Sequence, residues 1–149
     1  MKRAVVLILL VACGGDDPAP PEADHLACNR LQNGPFQSDV IGDVRDGTAP
    51  EVTTTVVARL TGASGGGFAW LGVDAAGDHG LYLSRDVTIE VTDAAGAVVS
   101  PTEEAAGSAA CGEIGRRVVV PLMVGVYYLE LGVGTDTLDV ITQPVAVDE

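Results

Sequence analysis

Hydrophobic and polar residues alternate along most of the chain after position 36. The clearest run is 81–91, in which the odd-numbered positions are apolar except for Arg85. A period of two is typical of a β-strand with one buried and one solvent-exposed face. Because burying Arg85 would be costly, we expect a bulge or bend at residues 84–86. The same parity directs the side chain of Tyr82 towards solvent.

The same alternation predicts further strands, over 52–60, 68–73, 97–99, 114–122, 126–131 and 137–141. The last two are expected to form a hairpin around residues 132–136. No stretch after Cys13 has a convincing helical period, and residues 102–110 could form one or two helical turns at most. Short strands with turns about every 8–12 residues are typical of a sandwich. The sequence therefore predicts an all-β fold, a single antiparallel β-sandwich of seven to eight strands.

One segment of this pattern resembles a known folding motif. Residues 122–127, LMVGVY, are similar to the tyrosine corner of immunoglobulin-like and fibronectin-like domains. In that motif a glycine permits the chain reversal, and a tyrosine at the start of the next strand bonds back to the upstream backbone. Either Tyr127 or Tyr128 could be the corner residue. The resemblance implies an immunoglobulin-like sandwich and no particular activity.

The N-terminus has the pattern of a targeting segment. Lys2 and Arg3 are followed by nine apolar residues over 4–12. Nine helical residues reach only about 13.5 Å, well short of the roughly 30 Å hydrocarbon core of a bilayer. The pattern therefore predicts a secretory signal peptide over 1–12 rather than a membrane-spanning helix.

The end of this segment, LVAC at residues 10–13, resembles the lipobox of bacterial lipoproteins. The resemblance implies that Cys13 carries a covalent lipid and becomes the first residue of the mature chain. Two or more acyl chains anchor a protein durably to a membrane. An ordinary signal peptide with a cysteine near its cleavage site by chance is the alternative. Gly14 stands where an inner-membrane retention signal would have aspartate, which favours the outer membrane.

The mature chain is expected to consist of a tether over 13–27, a β-sandwich domain over 28–143 and a C-terminal tail over 144–149. The tether is rich in glycine, proline and acidic residues and has no periodic apolar pattern, a composition typical of linkers. Cys28 and Cys111 remain as an even pair in an exported chain, which predicts a structural disulfide. A metal-binding or redox pair is the alternative, but it lacks a CxxC motif or a nearby histidine.

The net charge is strongly negative. The 149 residues include eight lysines and arginines against 21 acidic residues, a formal charge of −13. Loss of Lys2 and Arg3 with the signal peptide would bring it to −15. A chain this acidic repels phosphate backbones, which excludes nucleic-acid binding by a basic surface. The 47% of hydrophobic residues favours a folded domain over a disordered acidic chain.

Few residues carry candidate chemistry. Asp74, Asp78 and His79 share a predicted loop and form a possible metal cluster, but their spacing matches neither an EF-hand nor a zinc motif. A solvated turn is the alternative. The serines lie in no GxSxG or SxxK motif, and the glycine-rich segment 62–67 lacks the lysine of a phosphate-binding loop. We expect no enzymatic activity and no cofactor besides the lipid on Cys13.

A binding role fits the sequence better. Tyr82 and Tyr128 are expected on the solvent faces of their strands, where aromatic rings can form a platform for sugars or partner proteins. Phe68 and Trp70 are expected in the core. These features predict a lipid-anchored cell-envelope protein that displays a non-enzymatic sandwich for recognition or adhesion of an envelope protein or glycan. The alternatives are a structural or assembly component of the envelope without a ligand, and a metal-dependent binding module.

Overall fold

Strands make up most of the regular structure in the computed structural model, which describes residues 21–134 and 136–145. The strands are β1 (Phe36–Val40), β2 (Val57–Thr61), β3 (Gly67–Val73), β4 (Gly77–Leu83), β5 (Ile89–Asp93), β6 (Val98–Val99), β7 (Glu103–Ala105), β8 (Arg116–Leu122), β9 (Gly125–Leu131) and β10 (Thr137–Pro144). The other regular elements are an α-helix, α1 (Glu22–Asn33), which precedes β1, and a short 3₁₀ helix (Ala63–Gly65) between β2 and β3. The signal peptide predicted over 1–12 and the lipidation predicted at Cys13 lie outside the described residues, as does most of the C-terminal tail.

The strands form two sheets that pack into a sandwich. The six-stranded sheet has the order β1-β2-β10-β4-β8-β7, and the four-stranded sheet has the order β3-β9-β5-β6. All neighbouring strands are antiparallel except β1 and β2. The prediction of an all-β sandwich is confirmed. The predicted count of seven to eight strands is too low, because β1 and β7 have only exposed residues and no alternating pattern, and because the run 81–91 contains two strands. Strand β7 also replaces the helical turns predicted as the alternative for residues 102–110.

The hydrophobic core lies between the sheets and is built from alternate residues of their strands. In β3 the buried residues are Ala69, Leu71 and Val73, and in β9 they include Leu129 and Leu131. The six-stranded sheet contributes a matching set, Leu60, Leu81, Leu83, Val118, Val120, Leu138 and Val140. Each leucine or valine removed from water contributes about 1.5–3 kcal/mol to folding. This core therefore holds the two sheets together.

The run 81–91 contains two strands rather than one. The backbone bends at residues 84–85, as expected, and Arg85 is exposed there. The residues before the bend belong to β4 in the six-stranded sheet, and those after it belong to β5 in the four-stranded sheet. The bend therefore carries the chain across the sandwich and keeps the arginine out of the core.

The predicted hairpin between 126–131 and 137–141 is wrong. Strand β9 pairs with β3 and β5, whereas β10 pairs with β2 and β4 in the other sheet. The consecutive strands β9 and β10 therefore lie in different sheets. A short glycine-rich link is compatible with either arrangement, since local turn chemistry does not specify which sheet receives the next strand.

The first described element is a helix, and part of it lies where the composition predicts a flexible tether. Helix α1 covers residues 22–27 of that predicted tether, so the prediction of a linker up to residue 27 is wrong. Glu22 and Asp24 lie in the first turn, where negative charge is favourable to the helix dipole. The helix ends at Gly34, whose φ of 72° is accessible to glycine at little cost. Its N–H donates to the carbonyl oxygen of Arg30 over 2.7 Å.

Helix α1 covers the outer face of the six-stranded sheet. Ala27, Cys28 and Leu31 form a second hydrophobic cluster with side chains of the sheet, Val57, Tyr82 and Ile141, and with Ile114. The prediction that Tyr82 is exposed is wrong, since its side chain is fully buried. The strand parity does direct Tyr82 away from the main core, but helix α1 covers the face to which its side chain points.

The β8–β9 connection contains the tyrosine contact that the sequence suggested. The hydroxyl of Tyr127 accepts a hydrogen bond from the N–H of Met123 over 2.9 Å and donates one to its carbonyl oxygen over 3.0 Å. Tyr127 is buried, while the neighbouring Tyr128 points to the opposite face of β9. Of the two alternatives, Tyr127 is therefore the residue that bonds back to the upstream backbone.

Candidate functional site

The cysteine pair joins helix α1 to the loop before β8. Cys28 and Cys111 form a disulfide with a Cα–Cα distance of 6.1 Å, which confirms the predicted bridge. Glu113 lies beside them, and these three residues are the only set of at least three possible metal ligands brought within 4.8 Å in the described part of the chain. Because thiolates, not disulfide sulfurs, are the usual cysteine metal ligands, this cluster is structural in the oxidised protein.

A buried charge cluster lies under the same helix. The carboxylate of Asp24 accepts hydrogen bonds from the Tyr82 hydroxyl at 2.7 Å, the Ser108 hydroxyl at 2.6 Å and Arg117 Nε at 2.8 Å. Arg117 also pairs with Glu103. Asp24 is only 2% exposed, so its charge is stabilised by these partners rather than by water.

The surroundings of Tyr82 oppose its ionisation. Burial raises the pKa of the Tyr82 hydroxyl well above its ordinary value, and the hydrogen bond to Asp24 raises that pKa further. Gly80 lies under the tyrosine ring, since a Cβ atom there would come within 2.6 Å of it. Tyr82 is thus a neutral, buried hydrogen-bond donor that docks the helix, and it is not available as part of a binding platform.

The three residues considered as a metal cluster are not brought together. Residues 77–80 belong to strand β4 rather than to a loop, so Asp78 and His79 point to opposite faces of the sheet. Asp74 is exposed, and His79 is buried on the core side. Within the residues that the structure describes, Asp74, Asp78 and His79 do not form a set of ligand atoms within 4.8 Å of one another.

Aromatic residues collect on the outer face of the four-stranded sheet. We call this surface the aromatic face, and it consists of the outward-pointing residues Phe68, Trp70, Gly72, Glu90, Thr92, Val98, Val126, Tyr128 and Glu130. The prediction that Phe68 and Trp70 belong to the core is wrong: both are partly exposed, and their neighbours Ala69 and Leu71 are the buried residues. The segment 68–73 is almost continuously apolar, so its sequence did not indicate which parity faces inward.

The strand register places the aromatic side chains next to one another. Trp70 of β3 lies directly opposite Tyr128 of β9, and Tyr128 lies opposite Thr92 of β5. Directly opposite residues have Cβ atoms about 4.5–5.5 Å apart, which is within contact range for two aromatic rings. The Trp70 indole also extends to within 3.6 Å of the position a Cβ atom would take on Gly72. A side chain at position 72 would therefore pack against that end of the indole.

Arg45 lies over the middle of the aromatic face. Its segment runs along the free edge of β3, where Gly42 bridges to Phe68 and Glu51 to Trp70. The Arg45 guanidinium carbon is 5.8 Å from the centre of the Tyr128 ring, within the range of a cation–π contact. Its Nη1 atom donates to the Thr92 hydroxyl over 3.1 Å. Sequence reasoning did not identify Arg45, because 47 residues separate it from Thr92 and no local motif links them.

Carboxylates complete the polar part of the face. Glu130 lies between Phe68 and Glu90 in the strand register, so the two glutamates are direct cross-strand neighbours. Like charges in this position repel each other, and within the described residues neither glutamate forms an ion pair. The face thus offers aromatic rings for stacking, carboxylates that accept hydrogen bonds and one guanidinium that donates them.

No model of a known protein family matches this chain, and no curated protein matches it either. No helix in the described ranges is both long enough and apolar enough to cross a bilayer.

Proposed function

We propose that the protein is a lipid-anchored component of the bacterial cell envelope that recognises or adheres to an envelope glycan or protein through its aromatic face. Cys13 would carry the lipid, and the outer membrane is the destination that Gly14 favours. The role requires no catalytic step and no cofactor besides the lipid. Its ligand would bind by stacking and hydrogen bonding.

The observation that carries this proposal is the pairing of Trp70 with Tyr128 on an outward sheet face. Both side chains are partly exposed. Aromatic residues make up only 4% of the chain, yet two of them lie side by side on this one surface. Aromatic side chains and arginine are enriched at binding hot spots, and Arg45 lies on the same surface. Exposed Val98 and Val126 extend the apolar area around the two rings.

The attachment of helix α1 supports the anchoring role. The chain that enters α1 leads back towards Cys13, and α1 is bound to the sandwich by a disulfide and by the Asp24 cluster. A pull on the N-terminal segment would therefore be transmitted to the six-stranded sheet. The aromatic face lies on the other sheet, so a firm attachment at α1 leaves it uncovered.

Binding to envelope material tests the proposal. The purified chain, kept in non-ionic detergent, would be sedimented with peptidoglycan sacculi and, separately, with outer-membrane fragments. We expect it to sediment with at least one of them, and Trp70→Ala or Tyr128→Ala to lower the apparent affinity at least tenfold, since a hot-spot aromatic contributes about 2 kcal/mol or more.

Phe36 provides a matched control for these variants. It lies on β1 in the other sheet, is 37% exposed and has the Arg59 guanidinium carbon 4.1 Å from its ring centre, a contact like that of Arg45 with Tyr128. Phe36→Ala should leave sedimentation unchanged. Equal loss in all three variants would show that the effect is unspecific, and undiminished binding of Trp70→Ala and Tyr128→Ala would reject the aromatic face as the binding site.

An assembly role is the second candidate, and strand β1 favours it. This strand forms one edge of the six-stranded sheet, and all five of its residues are exposed. An exposed edge can accept an additional strand from a partner protein through backbone hydrogen bonds. Binding of outer-membrane fragments that survives both aromatic substitutions and is lost on Ser38→Pro would favour this role over recognition by the aromatic face.

A further inference from the structure

Two loops lie side by side at one end of the sandwich. Residues 74–76 connect β3 to β4, and residues 123–124 connect β8 to β9. The strand register places the end of β3 opposite the start of β9, and the start of β4 opposite the end of β8. The two loops are therefore neighbours, and we call them together the apolar end.

The apolar end exposes hydrophobic side chains to solvent. Met123 is 71% exposed and Val124 is 66% exposed, and Ala75 and Ala76 of the neighbouring loop are exposed too. The Tyr127 hydroxyl bonds to both backbone groups of Met123, which fixes the loop that presents these side chains to strand β9. A loop fixed in this way loses little conformational entropy when it is covered. Contiguous exposed apolar surface marks a contact site for a membrane or a protein.

Helix α1 points its N-terminus towards the apolar end. In its last turn, Leu31 lines the same surface cleft as Ser84, just beyond the C-terminal end of β4. In its first turn, Asp24 accepts a hydrogen bond from the Tyr82 hydroxyl, which lies against Gly80 in the middle of β4. The helix therefore follows β4 with its first residue towards the loop that precedes this strand.

The chain that leads to the proposed lipid thus leaves the sandwich towards the apolar end. Pro21 precedes α1, and residues 14–21, which join it to Cys13, span at most about 28 Å. The seven residues of β9 extend about 23 Å, so the linker is hardly longer than the sandwich itself. A lipid on Cys13 would therefore keep the apolar end within reach of the bilayer surface.

We propose that the apolar end inserts into the surface of the phospholipid bilayer that holds the anchor. This inference rests on the lipid proposed for Cys13 and adds a second contact, made by the folded domain, with the same membrane. Entry of Met123 and Val124 into the boundary between headgroups and acyl chains removes apolar surface from water, which is favourable. The strands would then stand on the membrane, and the aromatic face would look along it towards other envelope material.

The charge of this end selects the kind of lipid. Residues 73–78 and 122–125 include Asp74 and Asp78 but no lysine or arginine. Anionic lipid surfaces attract basic segments, so they repel this one, and the chain as a whole is acidic. The proposed partner is therefore a zwitterionic phospholipid surface, and the contact depends on apolar insertion rather than on charge.

Nuclear magnetic resonance of methionine methyl groups tests this contact. Met1 and Met123 are the two methionines of the chain, and Met1 belongs to the predicted signal peptide, so a methyl label reports Met123; loss of the signal in Met123→Leu confirms its identity. The purified chain would be reconstituted into phosphatidylethanolamine–phosphatidylcholine nanodiscs with and without a nitroxide on the acyl chains. We expect the nitroxide to reduce the Met123 signal to less than about half, because insertion about 5–10 Å into the interface brings the methyl group close to it.

Val133 provides a matched control at the opposite end of the sandwich. It is 79% exposed and follows β9, so the length of that strand separates it from Met123. Val133→Met adds a second methyl probe to the same sample, and the nitroxide should leave its signal nearly unchanged. Equal reduction of both signals would show unspecific crowding at the disc. Reduction of neither would overturn the proposal and leave the apolar end to a protein partner.

Aspartate substitutions test whether the exposed side chains cause the contact. In the original chain carrying Val124→Asp, the effect of the nitroxide on Met123 should fall about twofold or more, because a carboxylate is costly to insert. Val133→Asp should not change it. Phosphatidylglycerol in the discs should weaken the effect in the original chain, and a stronger effect there would contradict the choice of zwitterionic lipid.

The mass of the purified chain separates failure of this inference from failure of the proposed anchor. A chain that carries acyl groups, with a Met123 signal that the nitroxide leaves unchanged, would overturn the membrane contact and keep the anchor. A chain cleaved or uncleaved without acyl groups would contradict the anchor, and this inference with it. Neither result bears on the aromatic face, which the sedimentation experiment tests separately.

Discussion

Tyr82 and Tyr128 lie in similar alternating patterns, but their surroundings give the two side chains different roles. Tyr82 is enclosed by helix α1 and donates to Asp24, whereas Tyr128 is partly exposed beside Trp70 and under Arg45. Tyr127 uses its hydroxyl to bind the backbone of Met123. We therefore expect substitution of each tyrosine to have a different effect.

Ionisation of Tyr82 should make stability depend on alkaline pH. Its pKa is raised in the folded protein by burial and by the Asp24 hydrogen bond, from an ordinary value of about 10. The folded state therefore keeps a proton that the unfolded state loses. This contribution to the free energy of unfolding is fully present below about pH 10 and is lost as the pH rises towards the folded-state pKa.

We expect denaturant unfolding to show this fall as the pH rises above about 10, and the Tyr82→Phe protein to show a smaller fall over the same range. Tyr128→Phe is the control, since it should keep the dependence of the original protein. An identical pH dependence in Tyr82→Phe and the original protein would contradict the role given to Tyr82.

The Tyr127 hydroxyl should contribute to stability and not to binding. Tyr127→Phe removes two hydrogen bonds to the backbone of Met123 at a buried position, and we expect the free energy of unfolding to fall by about 1–2 kcal/mol. Urea unfolding measures the change, with Tyr128→Phe as the neighbouring comparison. A loss confined to Tyr128→Phe would mean that the corner contact has been assigned to the wrong tyrosine.

At the scale of elements, helix α1 determines which part of the outer face of the six-stranded sheet is buried. Its apolar side chains cover Tyr82, Val57 and Ile141, so strand β4 is buried on both faces at Leu81, Tyr82 and Leu83. Without the helix this side of the sheet would be solvent-exposed, as the alternation suggested. The disulfide and the Asp24 cluster hold the helix there.

Opening the disulfide should lower stability without removing the fold. The bridge joins residues 83 positions apart, and the chain-entropy estimate for such a loop is about 4.5 kcal/mol, an upper figure for most proteins. Replacing Cys28 and Cys111 together by alanine should therefore lower the unfolding midpoint and leave the far-ultraviolet circular dichroism nearly unchanged, since the hydrophobic cluster remains. Free thiols at both positions in protein isolated from the envelope would contradict the bridge in the cell.

Most strands could be predicted from the sequence because alternation is a local property of the chain. The helix could not, because residues 22–27 share the proline, glycine and acid content of a linker, and the apolar partners of α1 come from distant strands. The first predicted strand, 52–60, begins only at Val57, because the Thr53 hydroxyl bonds to the backbone of Val56 and forms a turn.

The candidate site was predictable only in part for the same reason. Tyr128 was placed on a solvent face by its parity, but Trp70 lies in a segment too uniformly apolar to give a parity. Arg45 reaches Tyr128 only because its segment pairs with the edge of β3. Contacts of this kind depend on the arrangement of the whole sandwich and leave no local pattern in the sequence.

At the scale of the whole molecule, the proposed anchor and the proposed binding surface belong to different parts of the chain. The proposed lipid would attach at Cys13, the helix joins that end to the six-stranded sheet, and the aromatic face belongs to the four-stranded sheet. The net charge of −13 favours partners that are neutral or cationic. We therefore propose an anchored module whose binding surface lies on the four-stranded sheet.

Acylation of Cys13 is tested by changing that residue alone. We expect the Cys13→Ala precursor to remain uncleaved at this site and to lose incorporation of a labelled fatty acid, because the lipobox resemblance assigns both steps to the cysteine. Metabolic labelling followed by electrophoresis measures both, with the original chain as the comparison. Labelling that persists in the variant would end the assignment of this protein to the lipoproteins.

The most direct measurement of the proposed function is the affinity of the Trp70→Ala, Tyr128→Ala double variant for envelope material, compared with its free energy of unfolding. We expect at least a tenfold loss of affinity with a loss of stability below about 1.5 kcal/mol, because both side chains lie on an outward face. Unchanged affinity in a folded double variant would contradict recognition through the aromatic face.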